Sequence, residues 1–302
     1  MLLDVSLFIR VISGECYISF FDENGLYPKR DFERALIEAI SKDVEEKNDN
    51  RKKLSRCSFV RDHYLPMITS NRCPLEGLKV TVKRQNPASL LMKEALSAIG
   101  AEICDDGIKL SVSDDGFALS AEHYGFVCDD WHIKAILLRY LIREKPSLPI
   151  STPSALLDLC HKAPDLYTHC PTGNGEDDAR KNATAIPELI HACAAATELT
   201  GLMSVSDKSL KELCKHIPDF AVSSHQFKTR DRRRFSILTS LGSPSGDGIV
   251  SEYERGNVRV IPRKDGYTLI SEAASGEYAE ELLAYSEREI LNLLKKADKD
   301  NN

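Results

Sequence analysis

Leu78-Lys-Val-Thr-Val82, the residues 89–99, Gly100, and Ala101-Glu-Ile-Cys104 decide the fold. The first piece alternates apolar and polar residues as a half-buried strand does. The second has helical spacing, and Gly100 closes it as a C-terminal cap. The third is a short strand. Strand, helix and strand in so few residues make a βαβ unit, which places the chain in the α/β class.

Downstream, Lys109-Leu-Ser-Val-Ser-Asp-Asp-Gly-Phe-Ala-Leu-Ser-Ala-Glu-His-Tyr-Gly125 lies between a strand-like run and a strong helix. Open α/β proteins place reactive groups there. A divalent cation wants several oxygen ligands aimed at one point, and this loop offers only Asp114 and Asp115 side by side. Ser113-Asp-Asp-Gly116 reads as a β-turn between two strands. The following helix, 129–142, sets Ile133, Ile136, Leu137 and Tyr140 on one face.

A second unit begins near Pro149, with a helix at 154–161, a strand at 165–170 and a polar loop at 171–182. A long apolar helix follows at 186–199, and another at 209–216 carries Ser and Asp capping residues ahead of it. The last segment starts at Thr229 with a basic helix start, 230–234, and a Gly/Ser/Pro loop, 242–248. Strands at 249–253, 257–261 and 267–272 then lead to a closing helix at 279–296. Upstream, the run Met1 to Ile12 reads as a buried strand. The turn Phe20-Phe-Asp-Glu-Asn-Gly25 leads to a helix at 29–46 with Phe32, Leu36, Ala39 and Ile40 on one face.

At 302 residues, 42% apolar and 28% charged, the chain is long enough for several compact units with a real core. A net charge of −6 gives no reason to expect nucleic acid, and no apolar run reaches the length of a membrane span. Nine scattered cysteines without a C-x-x-C pair suit a reducing cytosol. Cys160-His161 with His169-Cys170, and Cys104, His123, Cys128 and His132, match no common zinc spacing. No local signature supports a Cys-His nucleophile. The cluster Lys228, Arg230, Arg232, Arg233 and Arg234 reads as a solvated face.

This order of pieces resembles the α-D-phosphohexomutases, the family of phosphoglucomutase, phosphomannomutase and phosphoglucosamine mutase. Phe20 to Gly25 resembles the strand and turn after that family's catalytic serine loop. Gly77-Leu-Lys-Val-Thr-Val82 resembles the opening strand of its second domain, and 78–142 follows that domain piece by piece. The helix at 186–199 and Ser209-Leu-Lys-Glu-Leu213 resemble the end of the third. Gly256-Asn-Val-Arg-Val-Ile-Pro262, Ile270-Ser-Glu-Ala273 and the terminal helix resemble the fourth.

The resemblance implies three-layer α/β/α units, the first incomplete, plus a small C-terminal α+β domain, divided at 1–72, 73–145, 146–228 and 229–302. It also implies four sites, each altered here. Ile9 stands where the family's phosphoserine would be, and it carries no nucleophile. Ser13, the only nearby hydroxyl on that side of the turn, is read as a turn residue beside Gly14. The family's Asp-Gly-Asp-x-Asp-Arg metal loop here reads Val112-Ser-Asp-Asp-Gly-Phe117, so Asp114 alone keeps its place and no Mg²⁺ site is expected. The sugar loop is replaced by the polar residues 171–182, with Glu176, Asp177 and Asp178. The phosphate loop shortens to Ile261-Pro-Arg-Lys-Asp-Gly-Tyr267, where Arg263, Lys264 and Gly266 remain as a weak anion site.

The expectation is a cytoplasmic phosphohexomutase-like protein without catalytic residues or cofactor, acting by binding or assembly. The rival is a sugar-phosphate mutase with residual activity, using Mg²⁺, or a sugar-phosphate-binding protein. An incomplete first sheet exposes apolar surface and a strand edge. Either Met1 is not the true start, or a second copy or a protein partner covers that edge.

Overall fold

The computed structural model describes residues 6–12, 15–22, 35, 38, 59–70, 72–83, 85–144, 186–229, 241–245, 248–263 and 266–299. It forms two compact units, Met1–Ser70 and Asn71–Asn302. In the first, β1 (Ser6–Ile12) and β2 (Glu15–Phe21) make an antiparallel hairpin. Leu7 pairs with Phe20 and Ile9 with Ile18, so these residues share one face of the ribbon. That face is open, with Leu7 59%, Ile9 60% and Ile18 54% exposed. Helix α1 (Phe59–Thr69) has no counterpart in the sequence reading, because Pro66 inside it looks like a breaker. Of the expected helix at 29–46, only Ala35 and Glu38 fall within the described residues, and both are helical.

The βαβ unit forms as its pattern dictates. β3 (Lys79–Val82) runs parallel to β4 (Glu102–Ile103) and β5 (Ile108–Val112). Antiparallel β6 (Leu119–His123) and β7 (Phe126–Cys128) complete a mixed sheet of order β4-β3-β5-β6-β7. Alternation puts Val80, Val82, Ile108, Leu110, Val112, Leu119 and Ala121 on its buried face. On the other face Lys109 and Lys83 donate to Glu122 at 2.7 and 2.6 Å and hold its carboxyl at about 2. Gly107, in the link from β4 to β5, lies so close to β3 that a Cβ would overlap the Lys79 carbonyl.

Three helices cover the buried face. α2 (Pro87–Ala98) ends at Gly100, which takes φ +96° as a cap glycine does. α3 (Asp130–Glu144) packs on β6 and β7. α4 (Ala192–Ser206) touches α2, α3, β5 and β6, and is buried on every side from Ala192 to Gly201. Such a helix must be apolar or have its polar groups partnered. Its Thr197 and Thr200 hydroxyls meet that demand by donating to the Ala194 and Ala196 carbonyls at 2.9 and 2.7 Å.

The single helix expected at 186–199 is instead a 3-10 turn, Pro187–Leu189, followed by α4. His191 is extended (φ −98°, ψ 121°), so the Ala192 amide does not continue the ladder and donates to the Gly116 carbonyl at 2.9 Å. Beyond α4, Ser209 and Glu212 form the capping box of α5 (Leu210–Cys214), where the sequence places a helix start.

The C-terminal sheet sets β8 (Ala221–Lys228), β12 (Gly266–Ala273), β11 (Gly256–Arg263), β10 (Gly248–Tyr253) and β9 (Ser243–Ser245) side by side in that order. β10, β11 and β12 match the expected strands. Two further strands lacked a signal. β8 is polar along most of its length yet pairs with all of β12, ahead of the expected start at 229. β9 is a three-residue edge strand inside the expected loop, where Pro244 is tolerated. α6 (Gly276–Lys299) lays Ala279, Leu282, Leu283, Ile290 and Leu294 on this sheet. Among the described residues no helix is long and apolar enough to cross a membrane.

Candidate functional site at the turn from Ser113 to Ala118

The turn after β5 is held by bonds of its own and by contacts from α2 and α4. The Gly116 amide donates to the Ser113 carbonyl at 3.0 Å, closing a β-turn, and Gly116 takes φ +80°. Ser113 Oγ donates to Asp115 Oδ1 at 2.6 Å, and the same oxygen accepts the Phe117 amide at 3.2 Å. The Ala118 amide donates to Ser113 Oγ at 2.9 Å. Asp115 is therefore a structural carboxylate that closes its own turn.

Asp114 is engaged from outside the turn. Asn86, the N-cap of α2, donates through Nδ2 to Asp114 Oδ1 at 2.9 Å and to the Val112 carbonyl at 3.2 Å. Its Oδ1 accepts the Ser89 amide and hydroxyl, both at 2.7 Å. The sequence reading missed Asn86, although Asn followed by Pro ahead of a helical run is a strong start signal. Asn86→Ala is expected to cost about 1–2 kcal/mol, the sum of a lost cap and a freed Val112 carbonyl. Urea unfolding checks this.

The far side of the turn leans on α4. Its helical N1 amide, Ala192, holds the Gly116 carbonyl, and the Phe117 and His191 rings stack with centroids 6.0 Å apart. Burial pushes the His191 pKa down, so the imidazole is neutral at pH 7. Beside it Cys193 is buried, with Sγ 3.4 Å from the Ala88 carbonyl, and burial pushes the thiol up to about 12. Val112, Gly116 and Phe117 thus serve as core, tight turn and ring contact. Among the described residues no group of three His, Cys, Asp or Glu side chains is arranged to hold a metal ion.

The other expected positions lie apart from this turn in the chain. Ile9 is in the middle of β1, exposed on the hairpin face, and Ser13 lies outside the described residues. So do the sugar-loop segment 171–182, with Glu176, Asp177 and Asp178, and also Lys264. Arg263 ends β11 opposite Gly266, where a Cβ would overlap the Phe227 carbonyl, so the hairpin needs its glycine. A surface cleft of about 230 Å³ between α3, α4 and α5 gathers Arg139, Arg143, Lys208 and His216 with Glu144 and Glu212. It is of mixed charge and had no signal in the sequence.

The chain matches no protein-family model, and no curated protein is significantly similar to it. Its fold, however, is that of solved phosphohexomutases. A phosphoglucomutase/phosphomannomutase family protein from Burkholderia thailandensis superposes with a TM-score of 0.67 at 12% identity, over 96% of this chain and 76% of that one. Paramecium parafusin, a phosphoglucomutase, gives 0.52 at 10%, covering 96% and 77%. The Aspergillus fumigatus N-acetylphosphoglucosamine mutase, solved with GlcNAc-6P and magnesium, gives 0.52 at 8%, covering 93% and 86%. At these identities the architecture is what is shared.

Proposed function

We propose that this chain is a phosphohexomutase-fold protein that does not catalyse phosphoryl transfer and acts in the cytosol by binding or assembly. The observation that carries the reading is the state of Asp114 and Asp115. One is bonded to Asn86 and the other to Ser113 and Phe117, while Val112 and Gly116 bring no carboxylate. Mg²⁺ demands near-octahedral oxygen ligation and gives up water reluctantly, so these residues do not fit it. Ile9, with no nucleophilic atom, supports the same reading.

The test is a mutase assay on glucose 1-phosphate with Mg²⁺, paired with intact mass and phosphosite mapping. The expected result is no glucose 6-phosphate and no phosphoserine. Turnover, or a stable phosphoserine at Ser13, would overturn the reading in favour of a working mutase. Should the protein bind a sugar phosphate without turning it over, Arg263, Lys264 and Gly266 are the residues proposed to meet the phosphate.

We also propose that a second copy or a protein partner covers the hairpin face of Leu7, Ile9 and Ile18, since half-exposed apolar side chains on paired strands invite association. Light scattering after size exclusion is expected to give a mass above 33.7 kDa, falling toward that value for Ile9→Thr with Ile18→Thr. A monomer at the outset would sink the self-association reading.

A further inference from the structure

Cys128 ends β7 and Cys214 ends α5, far apart in sequence, yet their Sγ atoms lie 3.1 Å apart without a bond between them. The two thiols differ in access. Cys128 is 1% exposed, whereas Cys214 is half-buried with a route to solvent. Next to them stands a charged dyad. His132, in the first turn of α3, has Nδ1 2.7 Å from Asp129 Oδ1, which also accepts the His132 amide at 2.9 Å. The ring is fixed further by stacking on Phe220, centroids 4.6 Å apart.

The electrostatics separate the pair into two roles. The contact with Cys128 lowers the Cys214 pKa, and the nearby His132 charge adds to that against the cost of burial and the Asp129 charge. The same contact, with burial, raises Cys128, so the outer sulfur is the more acidic of the two. The Asp129 contact raises His132 against the cost of burial, which favours the imidazolium. Cys214 sits at the negative end of a short helix, which opposes the thiolate. The Cys128 thiol, 3.1 Å away, and the His132 charge act in the opposite direction.

We propose that Cys128 and Cys214 are a redox-active pair, which hydrogen peroxide converts into an intramolecular disulfide. The Cys214 thiolate attacks one peroxide oxygen, the O–O bond breaks, and hydroxide leaves and is protonated to water. Cys214 is then a sulfenic acid. Cys128 Sγ attacks Cys214 Sγ, the S–O bond breaks, and the departing hydroxide takes the Cys128 proton as a second water. In sum two thiols and one peroxide give one disulfide and two waters, and a dithiol reductant reverses it. The bond would fasten α5 to the edge of the sheet at β7. Cys193 is the built-in contrast, buried and held protonated, with a carbonyl rather than a thiol as its neighbour.

The experiment is peroxide treatment of the folded full-length chain, followed by alkylation and non-reducing peptide mapping. The expected product is a single linked peptide pair joining Cys128 to Cys214, a loss of two hydrogens, a raised melting midpoint, and full reversal by dithiothreitol. In Cys128→Ser, a dimedone adduct is expected to accumulate on Cys214. In Cys214→Ser, Cys128 is expected to stay reduced. His132→Gln is expected to slow linkage several-fold without changing its extent, which a merely structural role would not do. Failure to find the linked pair in wild-type protein, while Cys214 oxidises further to sulfinic acid, would overturn the proposal whatever the variants do. The outcome is independent of the mutase assay, since none of these residues belongs to the Asp114 turn.

Discussion

Arg72→Met is expected to lower the unfolding free energy by about 3–5 kcal/mol, the usual cost of removing one partner from a buried ionic group. Arg72 reaches Glu188 Oε1 through Nη2 at 2.6 Å and Glu198 through Nη1. The three side chains are 12%, 6% and 11% exposed, so solvent screens them little. Without the guanidinium, two carboxylates face one another in the interior with no cation between them. Arg72→Lys keeps the charge but not the fork that serves two acceptors, and should fall between. Combining Arg72→Met with Glu188→Gln and Glu198→Gln should recover most of the loss, because the stranded charges go too. Trp131, the chain's one tryptophan, lies on α3 of the same unit and gives a local fluorescence signal for urea midpoints. An Arg72→Met midpoint equal to wild type would refute the buried triad.

That triad also shows where sequence reading stops. Glu198 inside the apolar run 186–199 is a visible anomaly, since a charge on a fully buried helix demands a partner. Nothing in the sequence says that the partner is Arg72, because only the fold brings the two together. The βαβ unit was legible because its information is local: alternation in 79–82, helical spacing in 87–98, and a left-handed glycine at 100. β8 was not legible. Its Ser223, Ser224, His225 and Gln226 are stabilised through backbone pairing to β12, an interaction that leaves no side-chain pattern.

The turn at Asp114 was half legible. The substitutions at Val112, Gly116 and Phe117 could be read as missing ligands, but not as what the structure makes them. Gly116 offers its carbonyl to the first amide of α4, and Phe117 stacks on His191. Both contacts depend on the break at His191, which the apolar run of 186–199 conceals. Cys128 and Cys214 are a plainer case, since two cysteines 86 residues apart carry no spacing rule.

Leu96→Ala is expected to cost about 2–5 kcal/mol, while Leu90→Ala on the same helix should stay within about 0.5 kcal/mol of wild type. Both residues lie on α2 and both changes delete the same atoms. Leu96 is fully buried on α2, a helix that packs on the sheet and α4, whereas Leu90 is 59% exposed. The difference is therefore the transfer and cavity terms alone, with helix propensity and length held constant. Urea midpoints of the two variants measure it directly. The pair also separates two ways of holding the Asp114 turn. If packing of α2 fixes it, Leu96→Ala will loosen the Asn86 to Asp114 contact before global unfolding, seen as faster amide exchange at Ala118 and Gly116. If the hydrogen bonds of the cap suffice, those amides will exchange only with the whole unit. Their own bonds to Ser113 do not involve α2, so the second outcome is expected. The turn's own bonds run between Ser113, Asp115, Phe117 and Ala118, and Asn86 reaches it only through Asp114 and the Val112 carbonyl.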